Sequence, residues 1–178
     1  MNKKLEKKIV LTGPYEDVIS LDHHFYLKHK LNRICVLPYT ISSDGLLDKI
    51  GVIKQIDLLE EKENYILINN FNNQDDPTNL VAANRLIYEI IGSNIKNADN
   101  WMYLGKINNT SISSDIIIYA VNISNIDIND DPEVNETKQE KKFQLIDSNK
   151  VVTSDDALFL SAYLRLFHFF FVQSLIKK

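Results

Sequence analysis

Residues 82–92 read AANRLIYEIIG, and the stretch before them ends in Asp76-Pro77. Asp accepts hydrogen bonds from free backbone N–H groups at a helix start, and Pro suits the first helical position because its missing N–H has no partner to lose there. Gly92 supplies the left-handed residue that stops a helix. The pattern therefore predicts a helix from about Pro77 to Ile91. Arg85 and Glu89 lie four apart on it and can pair with each other. Leu86 and Ile90 are also four apart and form an apolar stripe beside them.

Working outward, residues 33–41 are rich in Ile, Val, Tyr and Thr, and residues 46–56 return after the turn Ser43-Asp44-Gly45. Two β-type runs around an Asp-Gly turn read as a hairpin. Residues 9–12 and 18–28 read as extended pieces around the break Gly13-Pro14, and 65–68 as a short strand. Beyond the helix, 101–107 and 115–123 read as strands, Asp127 to Lys142 as an exposed acidic loop, and 143–147 as a return to the sheet. Ser154-Asp155-Asp156 is a second N-terminal cap signal, followed by a helix from Ala157 to about Leu175. Residues 1–32 form an arm with lead-in strands, and residues 33–178 form one α/β domain.

The segment 82–92 resembles the signature box of the Nudix hydrolases, whose pattern is Gly-x5-Glu-x7-Arg-Glu-apolar-x-Glu-Glu-x-Gly-apolar. Aligned on Arg85, the positions Arg85, Ile87, Glu89 and Gly92 match. The initial Gly falls on Phe71 and the first Glu on Pro77. The Glu after the arginine is Leu86, the second Glu of the pair is Ile90, and the last apolar position is Ser93. The preceding hairpin, the strand at WMYLG and the terminal helix resemble the rest of that fold over roughly residues 33–172. The resemblance implies an α/β/α sandwich around a mixed sheet with a long apolar C-terminal helix.

It also implies Mg²⁺-dependent hydrolysis of nucleoside diphosphate derivatives, with box glutamates holding the metal that activates water. Mg²⁺ takes hard oxygen ligands in near-octahedral geometry, and Leu86 and Ile90 offer none. The expectation is a degenerate box with no catalytic residue and no metal. Leu86 and Ile90 then become an apolar stripe that a loop of this chain or a partner must cover. The alternative is a hydrolase with displaced ligands, Glu89 acting with Asp75, Asp76 or loop carboxylates on Mg²⁺.

Composition narrows the rest. With 178 residues and 44% hydrophobic content the chain suits one domain with a self-sufficient core. A net charge of −4 gives no general basic face for nucleic acid, so specific nucleic-acid binding is not expected. Lys3, Lys4, Lys7 and Lys8 make only a short basic run. Cys35 is the only cysteine, which rules out an internal disulfide and fits a reducing compartment. The stretch from Asp127 begins like a calcium loop, but Pro132 replaces the turn glycine and Lys138 the bidentate Glu. The histidines His23, His24, His29 and His168 show no metal-ligand spacing with Cys35 or carboxylates.

The last helix, ALFLSAYLRLFHFFFVQSLI, is apolar nearly all round. Its length would cross a bilayer, yet Arg165 near its centre costs ~2.5–3.5 kcal/mol there, so a membrane span is not expected. A helix apolar on all sides is buried on more than one side. The strings VLPYTIS and DDALFLSAYLRLFHFFF also resemble the Nudix-like proteins of crAss-like bacteriophages. That resemblance implies a homo-oligomeric ring protein of the virion, in the portal–tail region, assembled in the host cytoplasm with portal or tail proteins as partners. The candidate contact residues are Lys3, Lys4, Lys7, Lys8, Leu86, Ile90, Asp127, Asp130, Asp131, Phe169 and Phe170. By charge sign, the acidic loop of one copy would meet the basic arm of the next.

Overall fold

The computed structural model describes residues 7–13, 16–21, 24–29, 31–57, 62–108, 115–126, 128, 142–154 and 156–176. In chain order the strands are β1 (Lys7–Thr12), β2 (Glu16–Leu21), β3 (His24–His29), β4 (Arg33–Ile41), β5 (Leu47–Asp57), β6 (Lys62–Ile66) and β7 (Ile68–Phe71). Helix α1 (Asn79–Ile91) follows, then β8 (Trp101–Asn108), β9 (Asp115–Asn122), β10 (Lys142–Asp147) and helix α2 (Ala157–Ile176). The main sheet runs β10-β5-β4-β9-β8, with β6 added to β5 and β7 to β4. Strands β4 and β9 are parallel; the other pairings are antiparallel.

The centre of the sheet is where side chains are apolar on both faces. Strand β4 (RICVLPYTI) is buried from Ile34 to Tyr39, and β9 (DIIIYAVN) supplies Ile117, Ile118, Ala120 and Val121. Strands covered on both sides read as continuous rather than alternating apolar runs. Alternation then sorts the side chains. Ile34 and Val36 join Ile117 and Val121 beneath α1, while Cys35, Leu37 and Tyr39 join Ile118 and Ala120 beneath α2. The domain is a three-layer α/β/α sandwich, as its sequence indicates.

The hairpin β4–β5 turns as expected. Gly45 has φ 81°, its N–H donates to Ser42 O at 2.9 Å, and the Ser42 hydroxyl is bonded to Asp44. Gly51, in β5, lets Pro38 and the Phe143 ring close in where a Cβ would stand: one built there would lie 2.7 Å from Pro38 Cβ and 2.8 Å from the Phe143 ring.

Three local expectations are corrected. The extended stretch 18–28 is two strands, β2 and β3, and with β1 they form a separate three-stranded antiparallel sheet. The strand near 65–68 is two short strands, since β6 pairs with β5 and β7 leaves it to pair with β4. Helix α1 starts two residues later than Pro77. Thr78 is its cap, extended at φ −145°, with Oγ1 accepting from Val81 N at 3.2 Å. Asp76 has another partner, described below. At α2, Asp156 is the capping acid: its carboxylate accepts from Leu158 N at 2.8 Å and Phe159 N at 3.1 Å.

Candidate functional site

Helix α1 carries the residues that the sequence singled out. It lies over β4, β7 and β9, burying Ala82, Ala83, Leu86, Ile87 and Ile91. These positions repeat at three and four residues, so they share the face toward the sheet. Gly92 ends the helix as expected, at φ 71° with its N–H donating to Tyr88 O at 2.9 Å. Beyond it, Asn84 clasps the exit of the helix: its Oδ1 accepts from Ile95 N at 3.0 Å and its Nδ2 donates to Asn94 Oδ1 at 2.6 Å.

Leu86 is 3% exposed and packs in the core beneath α1. Ile90 is half-buried against the same cluster. The apolar stripe is therefore covered by the chain's own sheet, and Leu86 is not available as a contact surface for a partner. The reason is helical periodicity: Leu86 shares its stripe with Ala82, Ala83 and Ile87. A carboxylate at position 86 would point into hydrocarbon rather than into solvent.

On the outer side Arg85 is the hub. Its Nη2 donates to Asp76 Oδ2 at 2.9 Å and its Nε to Asp76 Oδ1 at 3.3 Å. Its Nη1 donates to Glu89 Oε1 at 2.8 Å, and Nη2 also reaches Phe71 O at 3.4 Å. The Asp76 side chain is 7% exposed, and Asp76 Oδ2 also accepts from Asn73 N at 2.7 Å. The Arg85 hydrogen bonds hold the Asp76 carboxyl below its usual range and push the Arg85 pKa up, Asp76 being the largest cause. Fork-like contact of this kind is the strong form of ion pairing. Glu89, by contrast, is half in water, with 48% of its side chain exposed.

Sequence reasoning paired Arg85 with Glu89 correctly. It did not foresee Asp76 as the second partner, because a nine-residue separation across a loop has no periodic signature. The arginine draws two carboxylates toward itself. Among the described residues no three His, Cys, Asp or Glu side chains converge to hold a metal ion. The donors at α1 do not fit Mg²⁺: Leu86 and Ile90 have no oxygen, and Glu89 and Asp76 already accept from a guanidinium.

Cys35 is fully buried, and burial pushes its thiol up to about 12. Of the other candidate residues, Lys8 is exposed on β1 and Phe169 is 40% exposed on α2. Phe170 is half-buried, its ring edge-on to Tyr39 at 5.5 Å. Lys7 lies in β1, opposite Leu21. Lys3, Lys4, Asp127, Asp130 and Asp131 lie outside the described residues, as does most of the acidic loop.

No protein-family model matches the chain, and no curated protein does. Solved structures do. A structure described as an ADP compounds hydrolase superposes with a TM-score of 0.61 at 16% identity, over 96% of each chain. A structure of MutT, from work on the fish pathogen Aliivibrio salmonicida and on Vibrio cholerae, superposes with a TM-score of 0.51 at 11% identity, over 76% of this chain and 98% of its own. At such identities the likeness is one of fold, and the chain has the Nudix-like α/β/α fold that its sequence resembles.

Proposed function

We propose that this chain is a non-catalytic Nudix-like module that works by assembly, as a homo-oligomeric ring component of a bacteriophage virion in the portal–tail region. The observation that carries the non-catalytic part is the state of α1. Position 86 is buried apolar, position 90 has no oxygen, and the remaining acid of the segment is tied to Arg85. A phosphate-rich substrate brings several negative charges, which need metal or cationic compensation. Arg85 is the one cation in α1, and two carboxylates already bond to it.

The assembly part is supported by the apolar α2 and by the likeness of VLPYTIS, which runs along β4 to Ser42 just past its end, and of the α2 sequence to phage ring proteins. The partners in this reading are further copies of the chain and portal or tail proteins, assembled in the host cytoplasm. The acidic loop, with Asp127, Asp130 and Asp131, and the basic arm, with Lys3, Lys4, Lys7 and Lys8, are charge-matched candidates for a head-to-tail contact that closes into a ring.

The test is direct. The protein is incubated with Mg²⁺ and a panel of nucleoside diphosphate derivatives, including the ADP compounds that the structural neighbour's description names. No turnover above buffer is expected. Turnover that Glu89→Gln abolishes would refute the proposal and establish a hydrolase with displaced ligands.

A further inference from the structure

Helix α2 changes character along its length. In its first half Phe159, Ala162 and Leu166 are fully buried against the sheet, and Tyr163 nearly so. Arg165 reaches over to β8, donating from Nη1 to Leu104 O at 3.1 Å. After Leu166 full burial stops, and Phe170 is only half-buried against Tyr39. Gln173 is exposed although it projects on the side of Phe159 and Leu166, so the helix has run past the edge of the core.

Away from the buried face the helix stays largely apolar, with Ser161, Arg165 and His168 among its polar positions. Leu164, Phe167, Phe171, Val172, Leu175 and Ile176 are each between 36% and 73% exposed. Leu164, Phe167, Phe171 and Leu175 follow at spacings of three and four, which makes one continuous stripe. Its rings are already ordered: Phe167 stacks near-parallel to Phe171 at 6.4 Å and lies 6.0 Å from Tyr163. From Leu166 to Ile176 no residue is acidic, and His168 is the only ionisable side chain.

We infer that the C-terminal half of α2 docks against the same half-helix of a second copy, through the Leu164–Phe167–Phe171–Leu175 stripe. This rests on the reading of the chain as an assembly module and adds a two-fold contact to the head-to-tail one. At ~150–200 Å² per large apolar residue the six side chains leave roughly 500 Å² in water per copy. That is at the upper end of what a monomer exposes in one patch, and it approaches the ~800 Å² per partner of a stable interface. A stripe without acids or lysines meets its own copy without like-charge repulsion, and a two-fold contact needs only one such patch.

Other occupants fit less well. Residues 129–141, the longest stretch outside the described residues, contain one large apolar residue, Val134, among seven charged ones. The helix is long and apolar enough to span a bilayer. However, its first half is committed to the sheet, and a helix lying on a membrane surface needs a strongly polar face that α2 lacks.

Sedimentation equilibrium of the full chain, from ~1 to ~100 μM, tests the contact against Phe171→Asp and Leu175→Asp variants. Both positions are exposed, so the variants should keep the wild-type far-ultraviolet circular dichroism and unfolding midpoint. Phe171→Leu serves as the conservative variant. Wild type and Phe171→Leu should self-associate, and the aspartate variants should dissociate at least a hundredfold more readily. A wild-type monomer at every concentration would overturn the inference. So would a folded Phe171→Asp/Leu175→Asp protein that associates like wild type; that result would leave the assembly reading standing on another surface. Cosedimentation with phosphatidylcholine–phosphatidylglycerol vesicles by a protein monomeric in their absence would assign the stripe to lipid and overturn it too. Nucleotide turnover by an α2-linked dimer would sink the non-catalytic reading and keep this contact.

Discussion

Replacing Leu86 by glutamate would restore the acid that the Nudix pattern carries after its arginine, and the structure assigns it a large cost rather than a gained metal site. Leu86 is 3% exposed and lies among Ile34, Val36, Ile87 and Ile117. Removing the leucine from such a site costs ~2–5 kcal/mol. The glutamate must then either stay charged in hydrocarbon or take up a proton. A buried Glu can reach a pKa of ~8–9, some four units above its ordinary value, and each unit is ~1.4 kcal/mol. With partial relaxation of α1 toward water, a net loss of ~4–6 kcal/mol at pH 7 is reasonable, against a total stability of ~5–15 kcal/mol for a domain. The sign of the pH dependence follows. A raised folded pKa means that the native state holds the proton longer, so the defect is mildest near pH 4 and grows as the pH rises through the folded value. Urea unfolding reads this directly through Trp101, the only tryptophan, which packs on the same cluster and donates from Nε1 to Ile95 O at 3.1 Å. Ile90→Glu, at a half-buried position, should cost less than half as much. Leu86→Glu with wild-type stability, above all if it also binds Mg²⁺, would refute the orientation of α1 and the reasoning built on it.

Three further outcomes are expected. Asp76→Asn should lower stability by ~2 kcal/mol at neutral pH, because it leaves Arg85 with a single exposed carboxylate partner. The folded Asp76 pKa is depressed, so its contribution is complete above the ordinary Asp range near 4 and is lost as the pH falls through the lower folded value; the gap between wild type and variant in urea midpoint should close below that range. Gly51→Ala should destabilise by ~1–3 kcal/mol by overpacking Pro38 and Phe143, seen as a lower thermal midpoint with unchanged secondary structure. Cys35 should be inert to a disulfide reagent at pH 8 in the native state and react fully in denaturant, since its thiol is fully buried and its pKa lies near 12; rapid native labelling would show that β4 opens.

Much of the fold was readable because local signals agreed with one another. Gly45 and Gly92 sit at φ 81° and 71°, where the sequence required a turn and a helix stop. The apolar runs of β4 and β9 announced strands covered on both faces. The misread positions share a cause: a distant partner decides them. Asp76 and Thr78 are both good helix caps by residue type, and Thr78 takes the role because Arg85, nine residues on, holds Asp76. The split of β6 from β7 depends on which neighbour each strand finds, β5 or β4, which no local pattern encodes. Leu86 is a different lesson. The spacing of Ala82, Ala83, Leu86 and Ile87 points inward, and alignment to a family pattern alone placed it outside. Helix α2 gave no inside or outside from sequence, because its apolar residues cover every direction, and only packing distinguishes Leu166 from Phe171.

The most direct test of the central claim is a Mn²⁺ titration of the protein followed by paramagnetic broadening of backbone amide resonances, with Mg²⁺ as competitor. If Arg85 holds the acids beside α1 and no metal site exists there, the amides of residues 75–92 should show no saturable broadening below millimolar metal. Saturable, Mg²⁺-displaceable broadening centred on Glu89 and Asp76 would contradict it.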